Sequence, residues 1–211
     1  MNTLVVTLWY LKYYHSERYI ALELNLIQQA ANYLLSTVIN ILHSCLYPDL
    51  ISIPANISSQ QRKAYYCAKI STNYALKVQI AHDFHYRIVH VSECFRGSVD
   101  DITVLRESGL LEHVNNAVQI IADKGYIGEE YVITPKKKPH GRELIDEDKD
   151  LNHDINSTRA AIENINQRLK IYAILGGVYR GTIDGFHKAT KIVQVVCILC
   201  NLNLIKHSIR R

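Results

Sequence analysis

An amphipathic helix near the C-terminal end is the feature that most constrains how this chain can fold. Residues 154–172 carry apolar side chains at helical spacing, and Ile155, Ile162, Ile165 and Leu169 share one face. An apolar face of this length has to be buried against another layer of the fold.

The opposite face of the same helix carries an unusual polar stripe. Arg159, Glu163 and Lys170 fall within roughly 40° of one line, with Asn166 beside them. An acid flanked by two cations suits a carboxylate that holds a divalent metal while its neighbours hold phosphates. The stripe therefore indicates metal-dependent chemistry on nucleic acid.

The overall charge permits a polyanionic partner but does not demand one. The chain has 24 Lys and Arg against 20 Asp and Glu, which gives a net charge of +4. Lys136, Lys137 and Lys138 lie together just before an acidic run at residues 146–150. A solvated loop and a phosphate-contacting loop are both open interpretations of these lysines.

The cysteines point to a reduced, intracellular setting. There are 5 of them, and no signal peptide precedes them. Cys197 and Cys200 lie in the apolar run 192–205 without further ligands at metal spacing, which favours buried thiols on a core helix. That run is short and interrupted by polar residues, so we expect no membrane span.

Three short helices are predicted before Pro48, over residues 4–11, 20–26 and 28–42. They suggest a helix-turn-helix, and an ordinary helical cap is the alternative. In the first case the last helix offers polar side chains to a DNA groove, namely Gln28, Gln29, Asn32, Tyr33 and Ser36. A linker with at most one strand, at residues 50–53, follows.

The middle of the chain has the pattern of a sheet. Alternation up to Ile80 and again over residues 87–91 predicts a hairpin that turns at residues 83–85. A helix at 101–111 and a buried strand at 118–122 follow, and the strand delivers Asp123 at its end. Helices at 146–172, with a break near Asn152, and at 186–208 complete an α/β sheet covered on its faces. We expect His82, His85 and His90 to be surface residues rather than metal ligands.

Four ordered motifs resemble the DDE superfamily endonucleases of transposases, specifically the Harbinger-like group and its bacterial insertion-sequence relatives. They are the segment from Phe95 to Ser108, the segment Ala122 to Gly128 around Asp-Lys-Gly-Tyr, the proline-flanked lysines at 133–139, and the helix at 156–170. The resemblance covers almost the whole chain.

The resemblance implies a ribonuclease-H-like mixed sheet flanked by helices at residues 46–211, preceded by a helix-turn-helix-like DNA-binding segment at residues 1–45. It also implies cleavage and transfer of DNA phosphodiester bonds at transposon ends. In such sites three carboxylates hold two divalent cations, Mg²⁺ or Mn²⁺.

The family pattern assigns roles to several residues of this chain. Asp123 resembles the second acid and Glu163 the third, with Arg159 and Lys170 as the flanking cations that face DNA. Asp101 matches a recurrent family aspartate, which makes it an accessory metal ligand or a structural residue capping the following helix.

The first acid is the departure from the family pattern. Asp49 is the only acid between Glu23 and Asp83, and it lacks the small residue and the threonine that follow the family's first acid. The interval from the last N-terminal helix to Tyr65 is also too short for the family's complete first strand. We therefore expect this strand to be missing, which would remove the central member of the sheet.

Two functions follow from these observations. One is an active transposase that uses Asp49, Asp123 and Glu163, and the other is a degenerate or repurposed relative that binds DNA without cutting it. A structural helical module without a nucleic-acid role is a third class. The sequence leaves open the DNA sequence bound, self-association and the host, so the expected location is the nucleus of a eukaryote or the cytoplasm and nucleoid of a bacterium.

Overall fold

The structure of the protein is a computed structural model that describes residues 2–52, 64–69, 76–114, 118–139, 141, 143–181 and 185–206, with the backbone alone for 64–69 and 206. The chain divides into two compact units. One comprises Met1–Ile51 and Asn166–Ser208, and the other comprises Ser52–Ile165 and Ile209–Arg211. Each has its own buried residues and is described separately.

Three helices open the first unit: α1 (Thr3–Tyr13), α2 (Glu17–Glu23) and α3 (Gln28–Leu50). Local capping sets the first two, because the side chains of Asn2 and Ser16 accept hydrogen bonds from backbone N–H groups of the first turns. The predicted end of α3 at residue 42 is wrong, since the helix continues through Pro48 to Leu50. Proline removes one hydrogen bond of the helical ladder. Pro48 lies near the end of α3, with only two helical residues after it, so most of the helix keeps its hydrogen bonds.

The second unit contains a five-stranded sheet. Its strands are β1 (Ala64–Lys69), β3 (Gln79–His82), β4 (Ile88–Val91), β6 (Gln119–Ile121) and β7 (Val132–Ile133), in the order β4-β3-β1-β6-β7. The first three in this order are antiparallel, and β6 and β7 continue in parallel with β1. Two short strands, β2 (Leu76–Lys77) and β5 (Phe95–Arg96), form a separate pair.

The expectation of a missing central strand is therefore corrected. The central position is occupied by β1, which pairs with β3 on one side and with β6 on the other. The predicted strand at 50–53 does not begin at Leu50, because that residue ends α3, and Ile53 lies outside the described residues.

The predicted hairpin, the strand before Asp123 and the following helices are present with shifted bounds. The chain turns at Asp83, whose carboxylate accepts hydrogen bonds from the backbone N–H groups of His85 and Arg87. Helix α4 (Asp101–Glu107) is shorter than predicted, because Gly109 adopts a left-handed φ of 77° and a 3₁₀ turn follows at Leu110–His113.

Helix α5 (Asp146–Lys170) is continuous, so the predicted break near Asn152 is wrong. Its apolar face is buried at the four predicted positions, and the residues from Asn166 onward belong to the first unit. In the first unit, α6 (Ala173–Gly176) packs on α1 and α7 (Phe186–Lys206) packs on α3.

Helix α7 is longer than the run from which the absence of a membrane span was predicted. Phe186–Ile205 is long and apolar enough to cross a membrane by length and composition, while 61% of its apolar window is buried within the structure. Burial of this kind is also typical of a core helix. Cys197 and Cys200 are buried as predicted, and burial raises the pKa of the Cys200 thiol to about 12.

Candidate active site

Asp123 stands at the end of β6, as predicted. The strand is fixed by Ile120, which is fully buried in the sheet core with Ala81, Leu105 and Tyr126. One carboxylate oxygen of Asp123, Oδ1, accepts a hydrogen bond of 2.7 Å from the backbone N–H of Gly125. Within the part of the chain that the structure describes, Oδ2 of this half-buried side chain makes no hydrogen bond or ion pair.

A second carboxylate lies beside the same turn. A Cβ atom built on Gly125 would lie 2.8 Å from Oδ2 of Asp101 and 3.2 Å from Oδ1 of Asp123. Because both distances start from one point, the two oxygens are no more than about 6 Å apart. The structure therefore brings together two of the residues singled out in the sequence.

Asp101 does not have the capping role predicted for it. The N-cap position of α4 is Asp100, so Asp101 does not cap the helix. Its carboxylate is buried and forms an ion pair with Lys77, whose Nζ lies 3.0 Å from Oδ1 and also donates to the carbonyl of Val99.

Lys77 was not identified from the sequence. Its signal was a single lysine between the apolar residues Leu76 and Val78 of a strand pattern, where a charge requires a buried partner.

Glu163 lies on α5 next to Ile162, a residue that packs against β6. The side chain of Ile162 is 4% exposed and packs against Ile121, two residues before Asp123. Glu163 itself is exposed and makes no hydrogen bond or ion pair with the described residues. On the same stripe Arg159 is half-buried, while Lys170 is exposed and belongs to the first unit.

Asp49 lies in the last turn of α3, is exposed and belongs to the first unit. The strand that occupies the centre of the sheet, β1, reads Ala-Tyr-Tyr-Cys-Ala-Lys and contains no acid. The described residues therefore hold no carboxylate on the central strand, where the resemblance implies the first one. The role of Asp49 stays a prediction.

The predicted DNA-facing residues of α3 fall into two groups. Gln28, Gln29 and Tyr33 are exposed. Asn32 instead donates to Glu17 on α2 and accepts from Ser36, so its side chain stabilises the helical unit.

The loop of Lys136, Lys137 and Lys138 is exposed and attached to α5. The side chain of Asn152 accepts a 2.8 Å hydrogen bond from the N–H of Lys136 and donates to its carbonyl. Lys138 pairs with Glu143, which leaves Lys136 and Lys137 as the lysines of this loop without an acidic partner among the described residues.

The prediction that the histidines of the hairpin lie on the surface is wrong for His82, while His90 is half-buried and His85 is exposed. His82 is 2% exposed, and the Nδ1–H of its neutral ring donates to the carbonyl of Asp83 at 2.7 Å. Burial lowers the pKa of His82, and it also lowers the pKa of His90. Alternation failed for His82 because β3 is covered on both faces, and all four of its residues are buried.

The oxygen atoms of these carboxylates are the type of ligand that a hard divalent cation prefers. The bound of about 6 Å between the Asp101 and Asp123 oxygens includes the roughly 3 Å spacing of neighbouring oxygens around one Mg²⁺. Across the described ranges, however, no three His, Cys, Asp or Glu side chains come together as a metal-binding group. Asp123 is the residue whose free oxygen best fits such an ion.

Two comparisons show which known proteins the chain is similar to. Residues 49–201 match the family model described as DDE superfamily endonuclease. A probable transposase for insertion sequence element IS702 from Microchaete diplosiphon is 31% identical over 137 residues, which are 63% of this chain and 48% of that protein. The chain thus spans about half the length of this curated relative.

Proposed function

The chain belongs to the DDE superfamily endonucleases, and from this premise we propose that it cleaves and transfers DNA phosphodiester bonds with two divalent metal ions. The observation that carries the proposal is the carboxylate of Asp123, which presents an unbound oxygen at the end of a buried strand. The helix that bears Glu163 packs on the same strand through Ile162 and Ile121.

The sheet supports a ribonuclease-H-like fold for this unit. Three antiparallel strands continue into two parallel ones, with β1 in the centre. Such a sheet presents the ends of β1 and β6 at the same edge, because parallel strands end together. Asp123 follows one of these ends.

In the proposed reaction the carboxylates of this chain hold and orient the reacting groups. Bound divalent cations lower the pKa of the attacking water or 3′-hydroxyl and stabilise the leaving oxygen. Asp123, whose Oδ1 is fixed by Gly125, would hold an ion with its other oxygen, and Glu163 would contribute a second carboxylate from α5. Asp49, where the family match begins, is the proposed third.

DNA is the proposed partner. Arg159 and Lys170 would contact phosphates beside Glu163, and the loop of Lys136, Lys137 and Lys138 would contact the backbone further along. The helix-turn-helix role of residues 1–45, with Gln28 and Gln29 facing a groove, is part of the same proposal. So is a location where DNA is found, which is the nucleus in a eukaryote or the nucleoid in a bacterium.

Nicking of supercoiled plasmid tests the proposal. We expect nicking with Mg²⁺ or Mn²⁺ but not with EDTA, and loss of nicking in Asp123→Asn and in Glu163→Gln. Asp146→Asn is the matched control, because Asp146 is an exposed acid in the first turn of α5. A protein that binds DNA but nicks no plasmid under any of these conditions would be the degenerate relative.

Gel retardation at several salt concentrations tests the lysine loop. Removal of one lysine that neutralises a phosphate should reduce the slope of log affinity against log salt by about 0.9. We expect a smaller slope for Lys136→Gln with Lys137→Gln, and an unchanged slope for the control Lys149→Gln, since Lys149 is paired with Asp146. An unchanged slope in the double variant would remove these lysines from the interface.

A further inference from the structure

The proposed reaction assigns no role to the buried ion pair between Lys77 and Asp101. Both side chains are less than a tenth exposed, and Nζ lies 3.0 Å from Oδ1. Taking two charges out of water is unfavourable unless geometry and further hydrogen bonds compensate. Lys77 has such a bond, to the carbonyl of Val99.

The pair lies next to the turn that carries Asp123. Helix α4, which begins with Asp101, packs against the turn at Lys124–Tyr126. The second oxygen of Asp101 occupies the space beside Gly125 where a side chain would otherwise begin. Gly125 in turn donates its N–H to Asp123. A short chain of contacts therefore leads from Lys77 to the metal-binding candidate.

The same turn is fixed on its other side by Tyr126. This side chain is 3% exposed, and its hydroxyl accepts a hydrogen bond of 3.2 Å from the amide of Gln79 on β3. Asp101 and Gln79 thus support consecutive residues of the turn, Gly125 and Tyr126. The orientation of Asp123 depends on both supports.

Charge argues against Asp101 as a ligand. An ammonium group 3.0 Å from a carboxylate in a buried site neutralises much of its charge, which makes that carboxylate a poor ligand for a divalent cation. The carboxylate of Asp123, by contrast, has no ion-pair partner among the described residues. The two acids beside Gly125 therefore have different tasks.

We propose that Lys77 and Asp101 are positioning residues, which hold the turn of Asp123 and Gly125 in place and do not themselves bind metal. The inference rests on the proposed function for the role of Asp123. Under this proposal, each of the two residues affects the Asp123 carboxylate through the backbone N–H of Gly125.

Amide hydrogen exchange of Gly125, followed by NMR, tests the positioning without metal. We expect faster exchange in Lys77→Met and in Asp101→Asn, and no change in the control Lys149→Met. The double variant with Lys77→Met and Asp101→Asn leaves no unpaired buried charge, so it guards against a simple failure to fold. Its exchange should also be fast. Wild-type protection of Gly125 in the double variant would overturn the proposal.

Manganese affinity, measured by electron paramagnetic resonance, distinguishes positioning from ligation. Loss of a supporting residue outside the ligand set lowers metal affinity about tenfold to a hundredfold. We expect such a loss in both Lys77→Met and Asp101→Asn, and abolished binding in Asp123→Asn. Abolished binding in Asp101→Asn together with tighter binding in Lys77→Met would make Asp101 a ligand and overturn the proposal.

The two experiments also separate this proposal from the proposed function. Absence of Mn²⁺ binding in the wild-type protein would contradict the metal-dependent function. The exchange rate of Gly125 would then still decide whether the ion pair holds the turn.

Discussion

At Gly125, the absence of a side chain lets two carboxylates lie beside one backbone position. Its φ is not in the left-handed region, so its conformation alone does not require glycine. Space does, because a Cβ atom would lie 2.8 Å from Oδ2 of Asp101. The space taken by the Asp101 side chain is therefore the physical reason for the glycine in the segment Asp-Lys-Gly-Tyr.

Gly125→Ala should displace the turn or push Asp101 away from Lys77. Overpacking of this kind costs about 1 to 3 kcal/mol of unfolding free energy. Urea denaturation would measure it, with the exposed neighbour Lys124→Ala as control. A variant as stable as the wild-type protein would mean that the Asp101 side chain moves without cost.

His82 should make the protein less stable in mild acid. Burial lowers its pKa in the fold, so between its folded pKa and about 6.5 the unfolded chain binds more protons than the folded one. The stability from the neutral ring is present above about pH 6.5 and is lost as the pH falls towards the folded pKa.

Unfolding free energies from pH 7.5 to 5 would check this, and His82→Gln should flatten the curve. The exposed His153→Gln should leave it unchanged. An equally steep curve in His82→Gln would assign the effect to other groups, of which the half-buried His90 is the first candidate.

At the scale of elements, the contact between α5 and β6 decides where Glu163 lies. It was predictable in part, because helical periodicity placed Ile162 on the buried face and a short apolar run at 118–122 placed Asp123 after a strand. The partner of Ile162 was not predictable, since periodicity does not tell which strand a helix covers. In the structure the partner of Ile162 is Ile121.

Ile162→Ala should therefore weaken both the fold and the proposed activity. Removal of a buried isoleucine side chain to alanine costs about 2 to 5 kcal/mol. Thermal unfolding measures that cost, and Ile145→Ala is the control because Ile145 is 59% exposed. Full plasmid nicking by a folded Ile162→Ala protein would show that Glu163 does not depend on this contact.

At the scale of the whole molecule, the errors of sequence interpretation share a cause. The continuation of α3 through Pro48, the pairing of β1 with β6 and the burial of Lys77 with Asp101 all depend on partners distant in the chain. The helix α5 and the strand before Asp123 were predicted because their signals are local. No such local signal marks Asp49, so its position in the fold was not predictable from the sequence.

The division into two units has a consequence for the third carboxylate. Asp49 belongs to the helical unit, and Asp123 and Glu163 belong to the unit with the sheet. The central strand of that sheet provides no acid of its own. The proposed function therefore depends most on Asp123 and Glu163 serving a common ion.

Iron-directed backbone cleavage tests this claim most directly. Fe²⁺ replaces Mg²⁺, and ascorbate with peroxide then produces hydroxyl radicals that cut the polypeptide close to the bound ion. A common ion predicts fragments that end near Asp123 and near Glu163, suppressed by excess Mg²⁺ and absent in Asp123→Asn. Cleavage near only one of these residues, or cleavage unchanged in Asp123→Asn, would contradict a shared site.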